Sequence, residues 1–435
     1  MNEMIIIVLV LFGALLALLA SGVWVAVTLI VVGFIAIAAF TPSPADSLLA
    51  ITVWDHSWNW ALTALPLFVW MGEILTRSRL SQDMFSGLAP WLSWLPGRLL
   101  HVNIIGCSVM AAVAGSSAVT AATIGRMSLP ELKKRGYSES MSLGTLAGAG
   151  TLGLLIPPSI MMIVYGIVTQ QSIARLFIAG LIPGLVIISL FMGYVIIWSL
   201  INRDKMPPND IRMSFMEKLW NSRRLIPVIV LIVLVIGSIY TGFATPTEAA
   251  TIGVLGALGL AWVSGSLTLR SFLDGLMGAM RTSCMITFII AGASFLAIGM
   301  AFTGIPAALA AWVEGLGLST WMLLVMLTLI YIVLGCFLEG ASMIVLTASI
   351  ALPMIQAAGL DPIWFGIYLI IVVEMSQITP PVGFNLFVLQ GMSGRDLMVI
   401  ARSAFPFFMV MILGIVVLAT WPGLVTFLPD LMMNR

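Results

Sequence analysis

Long apolar runs divided by short polar breaks set the pattern of this chain. Uncharged stretches cover Ile5–Ala45, Ser140–Ala174, Leu176–Asn202, Leu225–Phe243 and Ser403–Leu428. Each reaches or exceeds the roughly 20 residues that a helix rising about 1.5 Å per residue needs to cross hydrocarbon. They are continuously apolar, rich in Leu, Ile, Ala, Gly and Met, and lack the alternation of a membrane β-barrel. The pattern therefore predicts a helical membrane protein.

Read in order, the pattern predicts two spans over Ile5–Phe40, broken near Ser21-Gly22, and a third over Ala61–Thr76. An amphipathic segment, Met84–Trp94, should lie along the interface. Val102–Pro130 reads as a re-entrant hairpin, because a Gly-Ser-Ser tip divides two apolar arms too short to cross singly. Ser140–Gln170 reads as a broken span and Leu176–Asn202 as a whole one. Two spans, Leu225–Thr241 and Ala249–Val263, bridge to a second series: span Met280–Phe302, surface segment Pro306–Gly315, hairpin Thr320–Pro353, broken span Ile363–Gln390 and final span Met398–Thr420.

Composition narrows the class. Of 435 residues 61% are hydrophobic and 9% charged, against about 25% charged in soluble domains, which excludes a water-soluble fold. The net charge of +1 implies no nucleic-acid partner. Cys107, Cys284 and Cys336 are an odd set in apolar surroundings, read as buried small residues and not as a disulfide framework. His56 and His101 stand outside any HExxH or CxxC pattern, so no transition metal is expected, and no cleavable signal stands out.

The two series are copies. At a fixed offset of 223 positions Pro130 falls on Pro353, Pro157-Pro158 on Pro380-Pro381 and Pro183 on Pro406, with Gly136 on Gly359. Prolines and glycines set backbone geometry, which duplicated structure retains longest. Charge then assigns orientation. Lys133-Lys134-Arg135 in the first copy corresponds to Gln356-Ala357-Ala358 in the second. Because short cytoplasmic loops collect Lys and Arg, the equivalent loops should lie on opposite faces, as in an inverted repeat. Arg77, Arg79 and the basic stretch Asn202–Arg224, which includes Arg212, should be cytoplasmic; Thr41–Asn59, with no Lys or Arg, should be periplasmic. Arg175 conflicts, falling on the outer side.

A Pro-Pro pair in mid-span forces a break, since neither proline donates an N–H and the residue before each leaves the α region. Irregular backbone persists in hydrocarbon only where it lines a protected polar cavity. The freed carbonyls are natural sodium ligands, and helix N-termini attract anions. The breaks read GLLIPPSI (Gly153–Ile160) and SQITPPVG (Ser376–Gly383); taken singly, either could be a mere kink. The hairpin tips, AGSSAVTAATIG (Ala114–Gly125) and LEGASMIVLTAS (Leu338–Ser349), supply small and hydroxyl residues. Ser116, Ser117 and Ser342 suit coordination, whereas Thr120 and Thr123 suit helix packing. Arg126 is placed either to meet a carboxylate or to snorkel to the cytoplasmic surface. Glu339 and Glu374 could carry a proton or stabilise a cation, while Glu73, Glu248 and Arg281 read as structural pairs or caps.

At these motifs the chain resembles the large membrane subunit of the tripartite ATP-independent periplasmic (TRAP) transporters. The likeness runs from GALLALLASGVWVAV through MGEIL (Met71–Leu75), the first hairpin with LPELKKRGY, GTLGLLIPPSI, TGFATPTEAA (Thr241–Ala250) and ITPPVGFNLFV (Ile378–Val388). The resemblance implies an elevator-type, sodium-coupled importer of carboxylates. It would work with a small four-helix membrane subunit, expected as a separate chain, and a soluble periplasmic binding protein. Carried onto this chain, one sodium site would use Gly115, Ser116, Ser117 and carbonyls near Gly153, and the other Gly340, Ser342, Ser376 and Thr379. Ser116, Arg126, Pro157, Ser159, Pro380 and Asn385 would meet the substrate. The second tip reads EGAS where relatives often have Glu-Pro-Thr, which loosens the ligand assignment there.

The resulting expectation is an all-α polytopic protein of the bacterial inner membrane, an inverted-repeat elevator with two re-entrant hairpins and two broken helices. Residues 1–60 would be scaffold spans, 61–202 the first repeat, 203–274 a cytoplasmic loop with bridging spans, 275–420 the second repeat and 421–435 a tail. No cofactor is expected besides Na+ as coupling ion. With no GxxxxGK[ST] loop, ATP hydrolysis is not expected. The alternatives are a stand-alone ion-coupled carboxylate exchanger, which transport by this chain alone would reveal, and an intramembrane protease, which lacks a Ser-His pair or paired aspartates within the membrane.

Overall fold

The computed structural model describes residues 2–58, 60–78, 80–208, 213–315, 317–335, 338–380 and 383–433. Arg79, Arg212, Cys336 and Pro381 lie outside the described residues, as does the side chain of His56. Among the described residues every regular element is a helix.

The chain opens with α1 (Asn2–Ala20) and α2 (Val25–Phe40), separated at Ser21-Gly22, followed by α3 (Ala45–Ser57). A short 3-10 turn leads into α4 (Ala64–Thr76), then α5 (Leu80–Leu92). The first hairpin is α6 (Leu100–Ala114) with α7 (Ser117–Lys134); the first interrupted helix is α8 (Glu139–Gly150) with α9 (Ile160–Thr169); α10 (Ile173–Ile201) closes the series. α11 (Phe215–Ser222), α12 (Ile226–Tyr240) and α13 (Pro246–Val263) bridge to α14 (Leu269–Thr303) and α15 (Ile305–Gly315). The second hairpin is α16 (Thr320–Gly335) with α17 (Gly340–Ala357), the second interrupted helix α18 (Pro362–Ser376) with α19 (Phe384–Ser393), then α20 (Leu397–Thr420) and α21 (Gly423–Met433).

Shifted by the 223-residue offset, α7 falls on the bounds of α17, and α8, α9 and α10 fall on α18, α19 and α20 to within a few residues. The order of elements therefore repeats along with the prolines. Among the described residues α10, α13, α14 and α20 are long and apolar enough to cross a membrane singly, and α11 with α12, and the two parts of α17, could each do so as a bent pair; the other apolar stretches run 10–17 residues. That length suits hairpin arms such as α6 and α16 and half-helices such as α9 and α18, but α2 and α4, read from the sequence as spans, are also this short.

Three helices stand where the sequence reading has only loops or a tail. α3 occupies the Thr41–Asn59 connection, starting after Pro44 with Asp46 in its first turn and packing on α2 and α14. α11 begins with a capping box between Ser214 and Glu217, and α21 packs against α10 and α18. α14 also starts eleven residues before the expected Met280, because Thr268 and Ser271 form a capping box at its polar end. Arg175 pairs at 3.9 Å with Asp430 of α21, so that helix neutralises the charge that conflicts with the loop bias. Of the other structural charges, Glu73 pairs with Arg77 at 2.9 Å and Glu248 completes a capping box with Thr245. Arg281 instead lies exposed with no acidic partner among the described residues. Cys107 is buried as expected, whereas Cys284 is exposed.

Small residues hold the two series together, since helices in lipid gain most from close backbone approach. Gly144 and Gly148, one turn apart on α8, face α20: a Cβ at Gly148 would sit 2.7 Å from Phe407, and one at Gly144 would strike the Ser403 carbonyl. α7 packs on α19 and α9 on α17, so each hairpin's second arm meets the far half of the other copy's interrupted helix. On the opposite flank Gly33 of α2 and Gly292 and Gly299 of α14 seat those two helices together. α18 runs through the middle, with every residue from Ile363 to Ser376 buried.

Candidate functional site

The site is built where the helices stop. Gly115 ends α6 at φ 57°, a left-handed conformation that glycine adopts without Cβ strain. Ser116 then caps α7, its hydroxyl accepting from Val119 N at 3.5 Å. At the equivalent second tip Glu339 caps α17, its Oε2 accepting from Ser342 N at 3.4 Å. The two tips thus use a hydroxyl and a carboxylate for the same backbone task.

Each Pro-Pro break is repaired by side chains. In a continuous helix the Gly153 and Leu154 carbonyls would receive N–H groups from residues 157 and 158, both prolines. Ser159 answers for one of them: its hydroxyl donates to Leu154 O and accepts from Met162 N at 3.4 Å to cap α9. In the second break Thr379 Oγ1 donates to Ser376 O at 2.7 Å, the carbonyl that Pro380 cannot serve. Asn385 N reaches back to Gln377 O at 3.2 Å. A Cβ at Gly383 would lie 2.7 Å from both Gln377 O and Thr379 O, so two carbonyls of the break converge there.

The tips and breaks meet. A Cβ on Gly153 would lie 2.7 Å from Ser117 Cα and 2.8 Å from Ser116 O, which brings Gly115, Ser116, Ser117 and Gly153 into one group. In the second copy Ser376 presses against Gly335, where a Cβ would fall on its Oγ, while that Oγ donates to Val373 O at 2.5 Å. Ser342 is buried beside Glu339. Ser117 Oγ crosses between the copies and donates to Glu374 Oε2 at 2.5 Å.

A cavity of about 50 Å³ lies at this junction, lined by Ser116, Ser117, Ala118, Leu154, Met161, Glu339, Gly340, Glu374, Gln377, Phe384 and Asn385. No Lys, Arg or His lines it. The first residues of α17 and α19 and the cap of α7 do, so helix N-termini from both copies, with their partial positive charge, face the space together with the carboxylates of Glu339 and Glu374. A neighbouring cavity of about 110 Å³ shares Ser116, Leu154, Met161 and Glu339 and is closed by Gly72 and Glu73 of α4 and Thr282, Met285 and Ile286 of α14.

Of the residues implied as substrate contacts, Ser116 and Asn385 line the small cavity. Pro157 and Ser159 are buried in the first break, and Pro380 is exposed in the second. Arg126 is elsewhere. It lines a cavity of about 570 Å³ with Lys133, Tyr137, Glu139, Ser142 and Arg395, because α7 carries it more than two turns beyond the tip. In that cavity Arg395 grips Glu139 with two bonds of 2.7 Å, and the guanidinium holds the Glu139 carboxyl below its ordinary value. Sequence reasoning missed Gln377, buried inside the SQITPPVG motif, and Gly335, whose missing side chain admits Ser376. A polar side chain within a Pro-Pro break was the available signal for Gln377; nothing local marked Gly335.

Residues 12–424 match the family described as tripartite ATP-independent periplasmic transporter, DctM component. The chain is 34% identical to the C4-dicarboxylate TRAP transporter large permease protein DctM of Pseudomonas aeruginosa, covering 92% of each chain. It is 27% identical to the sialic acid TRAP transporter large permease protein SiaM of Vibrio cholerae, over 96% of this chain and 97% of that one. Among solved structures the fold is similar to the Alcanivorax borkumensis YdaH transporter, with a TM-score of 0.60 at 13% identity over 88% of this chain and 90% of that one.

Proposed function

Because the chain belongs to the DctM component family of the tripartite ATP-independent periplasmic transporters, we propose that it is the large membrane subunit of a sodium-coupled importer of an organic acid. It is a multi-pass membrane protein, and the bacterial inner membrane is its proposed location. The relatives' names speak of C4-dicarboxylate, sialic acid and isethionate; an organic acid anion is the cargo class common to them. A periplasmic binding protein would deliver the cargo, and a separate small membrane subunit would complete the complex.

One observation carries this reading: both hairpin tips and both interrupted helices meet at a single small cavity, with contributions from each copy. Main chain freed by the prolines offers carbonyl oxygens to sodium, and the converging N-termini offer partial positive charge to one carboxylate group of an acid whose remainder lies outside this small cavity. No cationic side chain lines the cavity, whose wall carries Glu339 and Glu374, so bound sodium supplies positive charge where an acid anion approaches. Uptake then depends on sodium by electrostatics. The hairpins and interrupted helices form the moving body, and α2, α4, α13 and α14 belong to the frame against which it slides.

The test is uptake by the purified complex in liposomes, with the acid that its binding protein takes up. Uptake with an inward sodium gradient should far exceed uptake without one. Equal rates in the two conditions contradict sodium coupling, and uptake without the binding protein contradicts a tripartite system.

A further inference from the structure

The small cavity holds more negative charge than the hydroxyl and carbonyl ligand sets require. Glu339 and Glu374 both line it, and Glu374 is only 1% exposed. Ser117 satisfies Oε2 of Glu374, but Oε1 is buried without a hydrogen-bond partner among the described residues. Asn385, also 1% exposed, leaves both its side-chain nitrogen and its side-chain oxygen unpartnered, and Gln377 leaves its nitrogen so. Buried polar groups are normally satisfied. Orphans concentrated on one cavity mark a space built for a ligand.

Charge and size identify the ligand class. Glu374 is a buried carboxylate with no Lys, Arg or His on its cavity wall and the more exposed Glu339 beside it, so it calls for an external positive charge. A further acid, Glu73, lines the adjoining cavity with Glu339 and is already paired with Arg77. A space of about 50 Å³ accepts an ion with a water or two but not an organic acid. Carboxylate and amide oxygens are hard donors, suited to alkali and alkaline-earth cations and unsuited to soft transition metals. The feature also belongs to one copy only. At the 223-residue offset Glu339 corresponds to Ser116 and Glu374 to Thr151, so the first copy has hydroxyls where the second has acids.

We propose that Glu339, Glu374 and the side-chain oxygen of Asn385 bind one sodium-sized monovalent cation directly in this cavity, with Ser117 positioning Glu374 through its hydrogen bond. The inference rests on the sodium-coupled reading and deepens it. The charged ligands of a coupling ion are two carboxylates of the second copy, in addition to the carbonyls and hydroxyls of the breaks. The ion offsets one of the two negative charges, so the same cavity wall repels the incoming acid less.

The experiment uses the full chain purified in detergent, with sodium chloride as the probe and choline chloride at equal ionic strength as the control. Melting temperature is followed against salt concentration. Sodium should stabilise the wild type and choline should not. Glu374→Gln and Glu339→Gln should each raise the half-saturating sodium concentration by about tenfold or more, as loss of a charged ligand does, each variant being read as its shift from its own melting temperature in choline. Should Glu374→Gln fail to fold, Glu339→Gln and Asn385→Ala carry the same comparison. Wild-type half-saturation in the folded variants overturns this inference and leaves sodium coupling standing. No sodium effect on the wild type overturns the coupling itself, and tighter stabilisation by calcium chloride than by sodium chloride overturns the monovalent assignment.

Discussion

Ser117, at the tip of the first hairpin, donates its hydroxyl hydrogen to Glu374 of the second interrupted helix across 2.5 Å and 257 positions of sequence. This bond ties the two copies together where the first hairpin turns and the second interrupted helix nears its break. Removing the hydroxyl leaves a carboxylate oxygen buried without a donor, a loss that costs about 1–3 kcal/mol. Ser117→Ala should therefore lower the melting temperature and weaken sodium stabilisation together. Thermal melting in sodium and in choline measures both, and an unchanged sodium response contradicts the positioning role.

The contact between the first tip and the first break is backbone against backbone. A methyl group at Gly153 would meet Ser117 Cα at 2.7 Å and Ser116 C at 2.8 Å, atoms that cannot swing away. Gly153→Ala should destabilise the protein by about 1–3 kcal/mol and abolish uptake. Gly193→Ala, in α10 with nothing within 4 Å of the new Cβ, should be neutral or stabilise by about 0.5–1 kcal/mol through helix propensity. Melting of the two variants side by side reads the opposite signs.

Arg126 lies outside the small cavity, in the larger basic one. Arg126→Gln should leave the half-saturating sodium concentration within about a factor of two of wild type, the range of a surface change. A large shift in that sodium titration would place the guanidinium in the ion site after all.

The Glu139–Arg395 pair lies outside the apolar span that starts at Ser140 and fastens α8 to the turn before α20. The Glu139 carboxyl is held below its ordinary value by the hydrogen bond and charge of Arg395. A depressed carboxyl stabilises the fold above its ordinary titration range, near pH 4.3 for Glu, and that stabilisation is lost as pH falls through the lowered value. Glu139→Gln should therefore reduce stability near neutral pH slightly, the pair being exposed, and should match wild type in strong acid. Melting temperature against pH for the two proteins should converge downward; parallel curves contradict the assignment.

Much of this was legible in sequence because prolines and glycines act on their own backbone. Pro157, Pro158 and Pro380 fix where helices break, Gly115 fixes the first tip, and the 223-residue offset carries the bounds of α7 onto α17. What was not legible depends on distant partners. Nothing near Ser117 points to Glu374, and nothing near Gly335 announces Ser376. Arg126 looked close to the tip along the sequence, but helical rise carries it to another cavity. α3 resembles a loop because its short run carries Asp46 and Asp55, and α21 because Pro422, Pro429 and Asp430 interrupt an otherwise apolar stretch.

The most direct measurement is access to the cavity from each side of the membrane. A single cysteine at Ser116, in a chain whose Cys107, Cys284 and Cys336 are serine, is exposed to a membrane-impermeant thiol reagent in right-side-out and in inverted vesicles containing the full complex. Alternating access requires labelling from both faces, with rates that change when sodium replaces choline. Labelling from one face alone, indifferent to sodium, contradicts a carrier that moves this cavity across the bilayer.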